Sequence, residues 1–218
     1  MDLRRIFEPI QINDVEIPNR ICRPGHGTSF AIGSRITDDL IAYHAARAEA
    51  GVGLIFLDLA TVHPSSFNFN LHSWDDSIIE GYERFARAIH ACGAKVFHQL
   101  WHGGAHWPAA DGGPPWSSSP LAAPFTGIVP IEMDSAQIDE IVQAFARATW
   151  RAEQGGIDGV EIHAGHGYLP HQFLSPLTNL RTDGYGGSFD HRLRFLRELL
   201  TAARAAVRPR YPIGIRIS

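Results

Sequence analysis

The sequence predicts an α/β fold: a (β/α)₈ TIM barrel present in part, with about five strands and four helices in a chain of 218 residues. Three observations predict it. Short apolar runs alternate with longer amphipathic runs from end to end, the pattern of a parallel sheet covered by helices. Polar and reactive side chains fall at the C-terminal ends of several strands, where barrel enzymes place their chemistry. No GxGxxG follows the first strand, so the open dinucleotide-binding sheet lacks its phosphate turn.

The first strand is read at residues 20–25, RICRPG, ending on Pro24 and Gly25 with His26 just beyond. Thr37 then opens a helix that Gly51 stops, its hydroxyl suited to cap the free N–H groups and Asp38 and Asp39 to face the helix dipole. The second strand, GLIFLDLA at 53–60, closes on Ala60. Asp75 and Asp76 head the next helix, in which Ile78, Tyr82, Phe85 and Ile89 share a face before Gly93. The third strand, AKVFHQL at 94–100, carries Gln99 to its end, with His102 just beyond. Residues 103–130 are rich in Gly, Pro and Ser and read as a lid or irregular excursion.

Asp134 and Gln137 are spaced as a capping box ahead of Ile138, Ile141, Val142, Phe145 and Thr149, and Gly155 and Gly156 close that helix. GVEIHA at 159–164 is the fourth strand. Ser188 heads the last helix, with Phe189, Leu193, Leu196, Leu200, Ala203 and Val207 on one stripe and Pro209 beyond it. IGIRIS at 213–218 is the fifth strand. Several of these strands are apolar on both faces, as strands under helices are. Residues 1–218 are therefore read as the N-terminal portion of a single barrel domain, since a complete one takes roughly 250 residues.

Composition bounds the function. With 44% hydrophobic and 19% charged residues the chain can bury a core, and a formal net charge of −4 offers no field for a phosphate backbone, which argues against nucleic acid. No secretory leader and no membrane-spanning run is seen, so the expectation is a cytoplasmic protein acting on a small molecule; a homo-oligomer is compatible with it. Cys22 and Cys92 form no CxxC pair, so cysteines within this chain house neither a zinc finger nor an iron-sulfur cluster.

The chemistry concentrates in HAGHGYLPHQFLSPLTNLRTDGYGGSFDHR, residues 163–192, which begins where the fourth strand stops. Alternation puts Glu161 and His163 on one face and Val160 and Ile162 on the other. His166 and Tyr168 follow on the loop, where Gly165 and Gly167 allow a turn tight enough to bring them near His163. Two imidazoles can donate to an oxygen gaining negative charge while a phenol supplies a proton. Asn179, Arg181, Asp183 and Tyr185 are residues that tie a long loop together through side-chain-to-backbone bonds. A competing arrangement uses His98, His102, His163 and His166 as ligands of a metal-dependent barrel hydrolase, though no carboxylate stands at a strand end to complete it.

The segment HAGHGYLPHQFLSPLTNLRTDGYGGSFDHRLRF resembles the signature of the Old Yellow Enzyme family of FMN-dependent NAD(P)H:flavin oxidoreductases, which includes dienoyl-CoA reductases. IFEPIQINDVEIPNRICRPG, HQLWHGG and SSSPLAAP are similar to other stretches of that family. The resemblance implies an ene-reductase-type enzyme that passes hydride from NAD(P)H through FMN to an electron-poor alkene, such as an α,β-unsaturated carbonyl or a dienoyl thioester. It implies that His163 and His166 bind the acceptor's oxygen and that Tyr168 is the proton donor. It further implies that Pro24, Gly25, His26, Ala60, Gln99 and Arg216 bind FMN, and it assigns no metal. Gly25 and His26 depart from the larger apolar residue and the Thr or Cys that many members carry, and His191 replaces the usual Asn. Because the family holds the FMN phosphate on loops after the late strands, the isolated chain is expected to bind FMN weakly or not at all. A truncated, catalytically incomplete fragment is the alternative reading.

Overall fold

The computed structural model describes residues 3–124 and 126–218; Met1, Asp2 and Phe125, the last inside the 103–130 excursion, lie outside the described residues. Two strands that the sequence reading does not mark come first: β1 (Ile10–Ile12) and β2 (Val15–Ile17) pair as an antiparallel hairpin. Asn13 takes positive φ at its turn, a conformation its short amide side chain tolerates. Then follow β3 (Cys22–Arg23), α1 (Asp38–Glu49), β4 (Leu54–Thr61), the short β5 (Leu71–His72) and α2 (Ile79–Ala91). The chain continues through β6 (Lys95–Trp101), β7 (Trp116–Ser117), β8 (Ile131–Glu132), α3 (Ser135–Gln154), β9 (Gly159–Ala164), α4 (Leu169–Leu174), α5 (Phe189–Ala205) and β10 (Ile213–Ile217).

The main sheet runs β10-β9-β6-β4-β3 with every pair parallel, and β5 adds beside β4. This is an arc of a (β/α)₈ barrel with helices on its outer face. Start signals lie where the sequence puts them: Thr37 accepts from the Leu40 N–H at 3.1 Å, and Asp134 and Gln137 close a reciprocal capping box at 2.8 and 3.0 Å. The outer core joins Ile55, Leu57, Val96, Leu100, Val160 and Ile162 of the strands to Tyr82, Phe85, Ile141, Phe145 and Phe195 of the helices. Inside the arc, Leu54, Phe56 and Phe97 pack against Val15 and Ile17, so the hairpin covers the end where the strands begin.

Four expectations are corrected. The first strand pairs only at Cys22 and Arg23, because Pro24 has no N–H for a ladder. Asp76–Ile78 form a 3-10 turn before α2. The last helix buries Phe195, Leu196, Leu199 and Ala203, while Phe189 is 64% exposed, so the packed stripe is rotated from the predicted one. β10 is not apolar on two covered faces, since Ile217 is 68% exposed at the sheet edge. The 103–130 excursion is irregular as expected, but β7 pairs in parallel with β8 at its base.

Candidate active site

Strand alternation builds the inner wall. Gln99 of β6 is level with Glu161 of β9, and His163 of β9 is level with Arg216 of β10, so these four side chains line the inside of the arc while Val160 and Ile162 join the helix layer. Gln99 is 2% exposed and donates from Nε2 to Glu161 Oε1 at 2.7 Å. Arg216 donates from Nε to the same oxygen at 2.8 Å and from Nη2 to Oε2 at 3.2 Å. The expected pair, Gln99 and Arg216, is thus joined through a carboxylate to which the sequence reading gave a direction but no role. Alternation was the signal that could have found it.

At the end of β9 the three expected chemical residues converge. The ring centroids of His163 and Tyr168 are 4.9 Å apart, those of His163 and His166 5.0 Å, and those of His166 and Tyr168 6.3 Å. His166 reaches this place with φ of 55°, strained for a residue with a Cβ. His163 Nδ1 accepts from the Gly165 N–H at 3.3 Å, which leaves its proton on Nε2, and that atom meets His166 Nδ1 at 3.1 Å. The hydrogen-bond pattern therefore assigns an N–H on His166 Nε2, free to donate outward. Burial first, then charge on His166, Arg216 and His171, push His163 down to about 4, so it is a neutral donor at neutral pH. Burial raises the Tyr168 phenol, which keeps its proton. Tyr168 is not in a loop proper: it is the N-cap residue of α4, a short helix with Pro170 in its first turn. Trp101 packs edge-on against Tyr168 at 5.2 Å.

The segment after β3 faces this wall. An added Cβ on Gly25 would lie 3.2 Å from Gln99 Oε1, so the glycine leaves room in front of that amide. His26 is exposed, with Nε2 3.4 Å from Arg23 Nη2, and the Pro24 carbonyl accepts from Arg23 Nη1 at 3.0 Å. Ala60 is completely buried and its side chain packs in the outer core. The loop is tethered by Asp58, which accepts from the Thr28 N–H at 2.6 Å, the Thr28 hydroxyl at 2.5 Å and His44 Nε2 at 3.2 Å. Burial alone would raise Asp58; the bonds from His44 and Thr28 outweigh it and hold the carboxyl below the usual range. Within a run read as apolar, this residue gave no warning.

The rest of the 163–192 segment supports the site. Gln172, which the sequence reading passed over, accepts from the Ala105 N–H at 3.1 Å and Ser117 Oγ at 2.9 Å and donates to the Gly167 carbonyl at 2.6 Å. Asn179 donates to the Phe173 and Tyr185 carbonyls, both at 2.7 Å, and Arg181 to the Met133 carbonyl at 2.7 Å and to Asp183. Tyr185 donates its hydroxyl to Glu198 at 2.9 Å. A cavity of about 470 Å³ opens beside His166 and Gly167, walled by Ala105, Leu121, Pro124 and Leu177.

The four-histidine arrangement is not assembled. His98 faces the helix layer, its ring 5.2 Å from that of Tyr82, opposite to the wall that carries His163. Among the described residues no three His, Cys, Asp or Glu side chains are grouped to hold a metal ion, and no helix is long and apolar enough to cross a membrane. The donor set suits an organic ring with an imide edge instead: Gln99 Oε1 and Arg216 Nη1 make no hydrogen bond among the described residues and offer an acceptor and a cationic donor held by one carboxylate.

The profile of the NADH:flavin oxidoreductase / NADH oxidase family matches residues 5–218. The chain is similar to an NADH oxidase of Thermoanaerobacter brockii, 39% identical over an alignment of 219 positions that covers 98% of this chain and 34% of that protein. It is 38% identical over 201 residues to an NADPH dehydrogenase of Bacillus subtilis (strain 168), covering 90% of this chain and 59% of that one. The fold superposes on an old yellow enzyme homologue from Zymomonas mobilis with a TM-score of 0.89 at 27% identity, over 97% of this chain and 62% of that one. The chain thus spans 34% to 62% of the length of these proteins.

Proposed function

The chain belongs to the NADH:flavin oxidoreductase / NADH oxidase family, and from that premise we propose that it forms the acceptor-binding wall and part of the flavin cradle of an FMN-dependent, NAD(P)H-driven reductase of electron-poor alkenes. The single observation that carries this reading is the meeting of two imidazoles and a protonated phenol at the end of β9. FMN, when bound, would supply the two-electron carrier between the nicotinamide and the acceptor. Gln99 and Arg216 would hold its pyrimidine edge, and Pro24, Gly25 and His26 would lie against the ring.

His166 and His163 bind the acceptor's carbonyl oxygen through ring N–H groups, which stabilise the negative charge that grows there. Opening the His163–His166 bond toward that oxygen exchanges one hydrogen bond for another, so it costs little. Tyr168 would hold its phenolic proton for transfer to the acceptor's α-carbon. The apolar walls of the cavity beside His166 suit an acceptor with an apolar body.

Tyr168→Phe tests the assignment in the flavin-loaded protein. Stopped-flow traces should show acceptor reduction slowed by about 10² to 10⁴-fold, with flavin reduction by NAD(P)H unchanged. Equal loss in both half-reactions would reject Tyr168 as the acid.

A further inference from the structure

We infer that Glu161 is a positioning residue whose carboxylate locks Gln99 as an outward acceptor and Arg216 as an outward donor, an inference that rests on the flavin reading above. A side-chain amide has two ends that differ in sign, and its orientation must be set by a partner. Here Gln99 Nε2 is committed to Glu161 Oε1 at 2.7 Å, which turns Oε1 toward the space in front of Gly25. Reversing the amide would set two oxygens against each other in a buried place. The same carboxylate takes Nε and Nη2 of Arg216, so the guanidinium cannot rotate and its remaining nitrogen, Nη1, faces away.

The three residues come from three neighbouring strands, β6, β9 and β10, and the arrangement exists only when their register is fixed. Glu161 is 8% exposed, and a buried carboxylate without its donors would be strongly destabilising, so the clamp is mutual. It presents an acceptor and a donor tied to one carboxylate, the two groups that an imide edge, with N–H next to C=O, calls for. It also sets charge. Glu161 cancels Arg216, so the wall binds a neutral ring without excess positive potential; without the carboxylate the guanidinium would favour a ring that has gained negative charge.

The test uses ¹⁵N-labelled wild-type chain, Glu161→Gln and Glu161→Asp, titrated by NMR with oxidised FMN and with anaerobically reduced FMN into the millimolar range. In Glu161→Gln, exchange of the Gln99 side-chain amide should quicken at least about tenfold, and affinity for oxidised FMN should fall about tenfold. Affinity for reduced FMN should fall much less, so that their ratio moves about tenfold toward the reduced form, equivalent to about +30 mV for a two-electron couple. A residue with a merely structural role would weaken both forms alike. Glu161→Asp keeps the charge but withdraws the carboxylate by one methylene; its Gln99 amide should also exchange faster, with the ratio near wild type. It decides the matter if Glu161→Gln does not fold. Unchanged amide exchange, or equal weakening of both forms in Glu161→Gln, overturns the inference. If the wild-type chain binds neither form, the Gln99 amide exchange decides alone: unchanged exchange in Glu161→Gln overturns the inference, while the flavin reading, which expects weak binding or none from the isolated chain, is decided by the Tyr168→Phe test.

Discussion

Lowering the pH from 7.5 to 5 should destabilise the chain through histidines that are buried in the neutral form, and His98 isolates the effect. His98 is fully buried against Tyr82, and neither ring nitrogen has a hydrogen-bond partner among the described residues. Burial pushes it from 6.5 down to about 3. His102 is likewise buried and pushed down to about 3; its Nδ1 accepts from the Gly104 N–H at 3.1 Å, a bond that protonation would break. A group whose folded pKa lies below its unfolded value contributes stability that is complete above the unfolded pKa and lost as pH falls toward the folded one. The window here runs from 6.5 down to about 3. At pH 5 the unfolded state has gained a proton that the folded state refuses, and the loss is about 2 kcal/mol per histidine. His98→Leu removes one of these sites while replacing unpartnered ring nitrogens with apolar atoms, so at pH 7.5 its stability should equal or exceed that of wild type. Urea unfolding at both pH values should therefore show a pH loss about 2 kcal/mol smaller in His98→Leu. Carboxylates that titrate in this range do so in both proteins and cancel. Identical pH losses would refute a neutral buried His98.

Two further outcomes follow from the supports of the site. Gln172→Ala leaves the Ala105 N–H, Ser117 Oγ and the Gly167 carbonyl without their partner; it should cost about 3 kcal/mol in chemical denaturation and loosen the turn that carries His166, whereas a loss under about 1 kcal/mol would show that water replaces the amide. Asp134→Ala removes one half of the capping box on α3; it should cost about 1 kcal/mol and lower Tm by about 2–4 °C, and an unchanged melting curve would show that α3 is held by packing alone.

The strands and helices of the arc were legible because each depends on local pattern. Thr37, Asp134 with Gln137, and Ser188 mark helix starts within a few residues of where the backbone turns, and the apolar runs mark strands that helices cover. The hairpin at Ile10–Ile17 and the short helix at Leu169–Leu174 were missed because neither is long enough to display a period. The α5 stripe was misjudged at Phe189 because the packed face is set by what lies opposite, Phe173 with Phe195 at 4.2 Å, and not by the helix itself.

The sequence by itself determined that His163, His166 and Tyr168 come close, since they lie within six residues on a strand end and a glycine turn. It determined by simple alternation that Glu161 shares a face with His163. Only the tertiary structure decided that Glu161 joins Gln99 to Arg216, that Asp58 anchors the loop after β3, and that His98 turns away from the site. Alternation fixes which side of its own strand a residue takes; which partner it meets there depends on the register of strands tens of residues apart, and that is settled only when the sheet assembles.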